Sequence, residues 1–275
     1  MLYIGPHVSI SGGISLATDR ARLLNATGFA IFTKNQRIWK CPPLSKDDAA
    51  AFRKSLAEYG FSPSSILPHA GYLINPATPD AELRKKSLDL MADEAGRMME
   101  LGLSTINIHP GAYKEGSRED GMKRSAAFFD EILTSFPELR IAIENTSGSG
   151  TILGSIFEEL AEILDNAEHK DRIGFTLDTA HLFGAGYDVK SDPDKVLDAF
   201  MSLFGEEKLM GMHLNDSKVP LDSKKDRHES IGKGLIGLDA FKAIVRRSEV
   251  QDRPLILETP DESAWKDEID ELLGR

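Results

Sequence analysis

RIGFTLDTAHLF, residues 172–183, holds two elements in sequence. Ile173 to Leu177 is a short apolar run without strict alternation, the form a parallel strand takes when both of its faces are covered. The run ends on Asp178, and a turn starting there can aim Asp178 and His181, three residues apart, in one direction. The same form recurs on either side. Upstream lie LYIGPHV (2–8), GFAIFT (28–33), SSILPH (64–69), STINIH (104–109) and LRIAIE (139–144); downstream lie LMGMHLN (209–215) and PLILET (254–259). Between these runs the pattern becomes helical, at 13–26, 45–59, 79–102, 117–135, 155–167, 193–204, 238–248 and 261–273. Asp192-Pro193 and Thr259-Pro260 each place a capping residue before a proline at the first helical position. Ser45 with Asp48 has the spacing of a capping box, and Gly60 stands where a helix stops.

Eight strands alternating with eight helices predict an α/β fold, a single (β/α)8 TIM barrel over residues 1–275. A doubly wound open sheet is the alternative. No composition break, linker, repeat or low-complexity segment divides the chain.

The strand ends carry the chemistry. His7, His69, His109, Glu144 and Asp178 end their strands, His213 lies near the end of the seventh and Glu258 near that of the eighth. Only the second, ending near Thr33, lacks such a residue. In a barrel all these ends meet at one mouth, where barrel enzymes keep their active sites. Clustered buried carboxylates and imidazoles are costly unless paired, and metal coordination neutralises them best. Asp226 and His228, two apart in KKDRHES, share one face of an extended segment and join the set. His7 stays open between a direct ligand and a residue that bonds a ligand or a phosphate. Setting it aside leaves His69, His109, Glu144, Asp178, His181, His213, Asp226, His228 and Glu258. Five imidazoles and four carboxylates suit zinc or a similar transition metal, and nine ligands exceed the need of one ion. Two or three ions about 4 Å apart are the usual apparatus of phosphoester hydrolysis. His169, in the charged run AEHKDR, reads as a solvated helix-end residue.

Composition narrows the class. The chain has 275 residues, 41% hydrophobic and 28% charged, and a single cysteine, Cys41, so neither an internal disulfide nor a cysteine-type zinc site is available. No run of about 18 apolar residues exists to span a membrane, and MLYIGPHVSISGG reads as a strand and not a signal peptide, so the expected location is cytoplasmic. The net charge of -11 argues, by itself, against a nucleic-acid partner.

Segments along the whole chain resemble the endonuclease IV family of apurinic/apyrimidinic endonucleases: IGPHVSISGG (4–13), FTKNQR (32–37), LPHAGYLIN (67–75), NIHPGAY (107–113), IENTSGSGT (143–151), LDTAHLFGAGYD (177–188), HLNDSK (213–218) and DRHESIGKGLIG (226–237). The resemblance implies three zinc ions, with manganese or iron as substitutes. The first would be held by His69, His109 and a bridging Glu144, the second by Glu144, Asp178, His213 and Glu258, the third by His181, Asp226 and His228. It implies cleavage of double-stranded DNA on the 5′ side of an abasic site by a metal-bridging hydroxide, leaving a 3′-hydroxyl and a 5′-deoxyribose phosphate, together with removal of 3′ blocking groups. Glu144 and Glu258 become the catalytic carboxylates, Glu258 orienting or deprotonating the water. His7, Lys34, Asn35, Gln36, Arg37, Tyr72 and Leu73 become DNA contacts, with Arg37, Tyr72 and Leu73 entering the base stack at the lesion. Ser149 departs from the family pattern, which commonly has glutamine there.

The charge conflict softens on this reading. Three Zn2+ ions bring -11 to about -5, and Lys34, Arg37, Lys218, Arg227 and Lys233 lie in loops expected to line the mouth. The acidic surface leaves a monomer as the expected state. One rival is a divalent-metal sugar isomerase or epimerase of the same architecture, which would use Glu144, Asp178, His213 and Glu258 and leave five ligands surplus. The other is a non-catalytic DNA-binding module, for which the chain offers no basic helix.

Overall fold

The computed structural model of the protein describes residues 1–275. Eight strands are formed: β1 (Tyr3–Pro6), β2 (Thr105–Ile108), β3 (Arg140–Glu144), β4 (Ile173–Asp178), β5 (Leu209–His213), β6 (Asp216–Ser217), β7 (His228–Glu229) and β8 (Pro254–Leu257). Six run in one parallel sheet in the order β1-β8-β5-β4-β3-β2, while β6 and β7 form a separate antiparallel pair.

The expected strands at 28–33 and 64–69 occupy the gap between β1 and β2, held by single bridges instead of continuous ladders. His7 pairs with Ala30, Phe29 with Ile66, and His69 with Asn107, all parallel. Backbone bonds continue the ring: Ala30 N donates to Pro6 O at 3.0 Å, His69 N to Ile31 O at 2.9 Å and Asn107 N to Pro68 O at 2.8 Å. Pro68 has no N–H to return the bond toward Thr105, which is one reason this ladder is broken. The barrel is therefore closed, with a weakly laddered quarter beside its first strand.

Nine α-helices pack outside: α1 (Leu16–Leu23), α2 (Lys46–Tyr59), α3 (Ala81–Leu101), α4 (Arg118–Ser135), α5 (Phe157–Asn166), α6 (Thr179–Ala185), α7 (Pro193–Phe204), α8 (Leu238–Ile244) and α9 (Trp265–Leu273). The expected caps of two of them form as read. Ser45 accepts from Asp48 N, α2 stops at Gly60 with φ +74°, and Asp192 accepts from Lys195 N ahead of Pro193. Thr259 does not cap a helix. Its hydroxyl is bonded to Glu268, and α9 begins five residues after Pro260. The short α6, beyond the eight helices expected, is the turn after β4 that carries His181. No helix is long and apolar enough to cross a membrane.

Most of the core lies between sheet and helices. A small second cluster of Ala30, Leu67, Ala142, Met210 and Ile256 fills the barrel interior. Side chains two apart on a strand share a face, so the residues two places beyond Leu67, Ala142 and Ile256 stand above that floor: His69, Glu144 and Glu258. Gly211 leaves room there, since a Cβ on it would lie 2.8 Å from Leu67 Cδ2, and its successor by two is His213.

Candidate metal centre

Three groups of side chains that could hold metal form at the mouth. His69, His109 and Glu144 make the first, Glu144, Asp178, His213 and Glu258 the second, and Asp178, His181 and His228 the third; within each group the ligand atoms lie within 4.8 Å of one another. Asp226 reaches the third group, its carboxylate oxygens 3.2 Å from His181 Nε2 and 3.0 Å from His228 Nε2. All nine residues expected to bind metal thus converge. Asp178 additionally sits by the third group, 3.8 Å from His228 Nε2.

Glu144 is central. Its Oε2 faces Nε2 of His69 and His109 at 3.2 and 3.4 Å, and its Oε1 faces Nδ1 of His181 and His213, both at 3.2 Å. Glu258 Oε2 lies 3.3 Å from His213 Nδ1. Two ligand atoms on one tetrahedral zinc, with bonds of about 2.0–2.1 Å, stand about 3.3 Å apart. The buried Glu144 Oε1, both nitrogens of His213 and Nε2 of His228 complete no hydrogen bond, which a protein interior tolerates poorly unless something else binds them. Spacing and bare donor atoms both fit divalent metal.

The imidazole orientations are set from behind. His69 Nδ1 bonds Ala70 O at 2.7 Å, His181 Nδ1 bonds Asn145 O at 3.0 Å and His228 Nδ1 bonds Glu258 O at 3.3 Å. With Nδ1–H donated to a carbonyl, each ring once neutral turns the lone pair of Nε2 toward the centre. Three buried asparagines, which the sequence reading passed over, hold the carboxylate ligands by side chain or backbone. Asn107 donates to Glu144 Oε2, and Asn215 donates to Asp178 Oδ2 at 2.7 Å while accepting Glu258 N at 2.8 Å. Asn145 accepts Asp178 N at 2.6 Å. Each lies within two residues of a ligand, so a polar residue inside an otherwise apolar strand end was the available signal.

The electrostatics divide the histidines. Burial pushes His109 down to about 4 and holds His7 below its ordinary value despite Glu258. Burial opposes charge on His181, His213 and His228 too, but the surrounding carboxylates outweigh it. His181 and His213 rise well above the usual imidazole value, and His228 reaches about 9 through Asp178 and Asp226. Burial alone would raise the Glu144 carboxyl, yet attraction to His213 and His109 holds it well below the usual range, and His213 does the same for Glu258. Asp226 is likewise lowered by the imidazoles of His181 and His228 beside it, although its partial burial opposes the charge.

Around the centre lie two hollows that share Tyr72, Asp226, His228 and Glu258 in their walls. One of about 780 Å³ is lined by His7, Phe32, Asn35, Gln36, Glu258 and Trp265 among others, and one of about 370 Å³ by His69, His109, Ile74, Gly111 and Ile152 among others. Tyr72 borders both, 58% exposed, with its ring edge-on to Phe32 and His69. Asn35 and Arg37 are exposed, Gln36 and Leu73 half-buried. His7 binds Glu258 Oε1 through Nδ1 at 3.1 Å, so it backs a ligand. Lys34 departs from its expected place. It is 3% exposed and ion-paired with Asp93 of α3, which makes it an anchor of its loop and not an open phosphate contact. Ser149 is exposed at a turn, where its carbonyl accepts Ile152 N at 3.2 Å. His169 is at the surface, bonded to Thr134.

A family model described as a xylose isomerase-like TIM barrel matches residues 18–274. The chain is 46% identical over 272 residues to a protein of Chlorobium phaeobacteroides (strain BS1) named "Probable endonuclease 4", covering 98% of this chain and 96% of that one. Endonuclease IV from Thermus thermophilus superposes with a TM-score of 0.87 at 33% identity, over 99% of both chains. A D-tagatose 3-epimerase-like protein shares the fold, with a TM-score of 0.74 at 17% identity over 100% of this chain and 96% of that one.

Proposed function

Since the chain belongs to the endonuclease IV family, within the xylose isomerase-like TIM barrels, we propose that it is a DNA-repair endonuclease that hydrolyses the phosphodiester 5′ to an abasic site and also clears blocked 3′ ends. What supports this reading is the convergence of nine ligand side chains on a central Glu144 that faces four imidazoles. The sites would be zinc sites: His69, His109 and Glu144; Glu144, Asp178, His213 and Glu258; and His181, Asp226 and His228. When bound, zinc supplies the positive charge that activates water and neutralises phosphate oxygens.

The chain's own residues do the rest. Glu258, pinned by His7 on one oxygen and by Asn215 through its backbone N–H, orients or deprotonates the attacking water. Asn107 and Asn215 keep the Glu144 and Asp178 carboxylates from rotating and Asn145 holds the backbone of Asp178, so the site is organised before substrate arrives. Tyr72, exposed on the wall of the larger hollow, and Arg37, exposed one residue beyond its lining residue Gln36, would enter the base stack. A nucleotide lacking its base has already lost pairing and stacking, so it leaves the duplex at low cost.

The test is the product chemistry of the zinc-loaded protein. A nicked abasic duplex whose new 3′-hydroxyl primes a polymerase, with about three ions per chain, is the expected result. The observation favouring a sugar epimerase is the group Glu144, Asp178, His213 and Glu258 on a shared barrel. One or two ions per chain, no nicking and turnover of a ketose would establish that reading instead.

A further inference from the structure

The chain leaving β5 passes through Asn215 to Asp216, whose side chain is fully buried and pairs with no lysine, arginine or histidine. Five backbone N–H groups satisfy it instead. Ser217 and Ile236 donate to Oδ1 at 2.8 and 2.9 Å; Gly232, Gly234 and Gly237 donate to Oδ2 at 3.0, 3.0 and 3.2 Å. Gly234 is held so closely that a Cβ on it would stand 2.4 Å from Asp216 Oδ1 and 2.6 Å from Ser217 O. Four of the five donors thus come from residues 232–237, the far end of the loop that follows β7.

The near end of that loop is tied to the same place. β6, which contains Asp216, pairs with β7, which contains His228, and Lys218 N donates to Arg227 O at 2.9 Å. Between the two ends Glu268 of α9 accepts Ile231 N at 2.9 Å. The residues carried on this clamped segment are Asp226 and His228, whereas the other seven candidate ligands sit on main-sheet strands or directly after them, on the bridged segment 64–69, or on the short α6 that leaves β4. Half of the Asp226 side chain is open to solvent and its close polar neighbours are His181 and His228, so apolar packing contributes little to its place.

We propose that Asp216 is a positioning residue for the third ion, holding Asp226 and His228 against His181, and that its loss empties that site while leaving the other two intact. The proposal rests on the reading that the three groups hold three ions. An asparagine at 216 keeps the shape but turns an NH2 toward backbone donors, whichever way the amide lies. Gly234→Ala disturbs the same clamp from the other side.

Zinc titration of the wild type, Asp216→Asn and Gly234→Ala, with thermal melting of each, tests this. The expected result is three ions in the wild type and two at unchanged affinity in both variants. The third ion should be weakened at least about tenfold and restored by raising free zinc. A folded variant that keeps all three ions at wild-type affinity overturns the proposal. So does a parallel weakening of all three with the melting temperature, which marks a merely structural carboxylate. If Asp216→Asn fails to fold, Gly234→Ala decides alone. Two ions or fewer in the wild type would remove the three-ion reading, and this proposal with it.

Discussion

Protons and metal compete for the same nitrogens at this mouth. His181, His213 and His228 all have raised proton affinities because their carboxylate neighbours outweigh burial. A metal ion arriving there must displace a proton from each. The sign follows: a proton held up to about pH 9 on His228 must leave before Nε2 can ligate, so zinc affinity rises with pH through neutrality. Each displaced proton contributes roughly tenfold per pH unit. Zinc titrations at pH 6 and pH 8 should show weaker binding at pH 6 and proton release on uptake; equal affinities would contradict this account of the cluster. At the same scale, His69→Ala or Glu144→Ala should cut incision by about a thousandfold or more while the fold survives by circular dichroism. Wild-type rates in either variant would remove those residues from the mechanism. The ligands were legible in the sequence because each interrupts an apolar run at its end. The asparagines behind them were not, since an isolated buried Asn looks like any strand-terminal polar residue until its carboxylate partner is in view.

Helices enter the function by anchoring loops. Glu94 of α3 accepts Gly71 N at 3.0 Å, at the base of the loop carrying Tyr72, and its neighbour Asp93 holds Lys34 of the other proposed lesion loop. Glu159 of α5 accepts Gly154 N and Ser155 N at 2.7 and 3.0 Å. These carboxylates read in sequence as parts of amphipathic helix surfaces, and nothing local reveals that they turn inward. Burial raises Glu94 to about 7 against the hydrogen bond from Gly71 and the charge of Lys34. Because this folded pKa lies above the unfolded one, its stabilising effect is present below about pH 4.5 and is lost as pH rises through about 7, a swing of up to about 3 kcal/mol. Glu94→Gln keeps an acceptor for Gly71 N and should gain stability relative to wild type between pH 5 and pH 8. A difference in melting temperature that does not change with pH would refute that. Arg37→Ala should weaken binding to an abasic duplex by about tenfold or more and affect an intact duplex less; equal losses would leave Arg37 as a simple phosphate contact. Caps at Ser45 and Asp192 were legible because their chemistry is local. Thr259 was misread because its hydroxyl is committed to Glu268, a tertiary contact that no local pattern announces.

For the molecule as a whole, net charge and function pull in opposite directions until the charge is located. The total is -11, but Arg37, Lys218, Arg227 and Lys233 are exposed, Arg37 next to Gln36 of the larger hollow, Arg227 between Asp226 and His228, and Lys218 and Lys233 on the segments that flank that pair. Binding to duplex should weaken as salt rises, with log affinity falling linearly in log salt; a flat dependence would exclude phosphate contacts as its source. The barrel was legible in the rhythm of apolar runs and helical stretches, because parallel strands buried on both faces leave that imprint. The quarter closed by isolated bridges was not, because a proline inside an apolar run removes a ladder bond without disturbing the pattern. On the proposed reading this mouth cuts DNA at a missing base. The direct measurement is incision of a duplex carrying one synthetic abasic site, beside the same duplex undamaged, with zinc-loaded protein and after chelation. A single cut immediately 5′ of the lesion, absent from the undamaged duplex and lost on chelation, is predicted. No incision with zinc loading verified, or cutting indifferent to the lesion, would contradict the account.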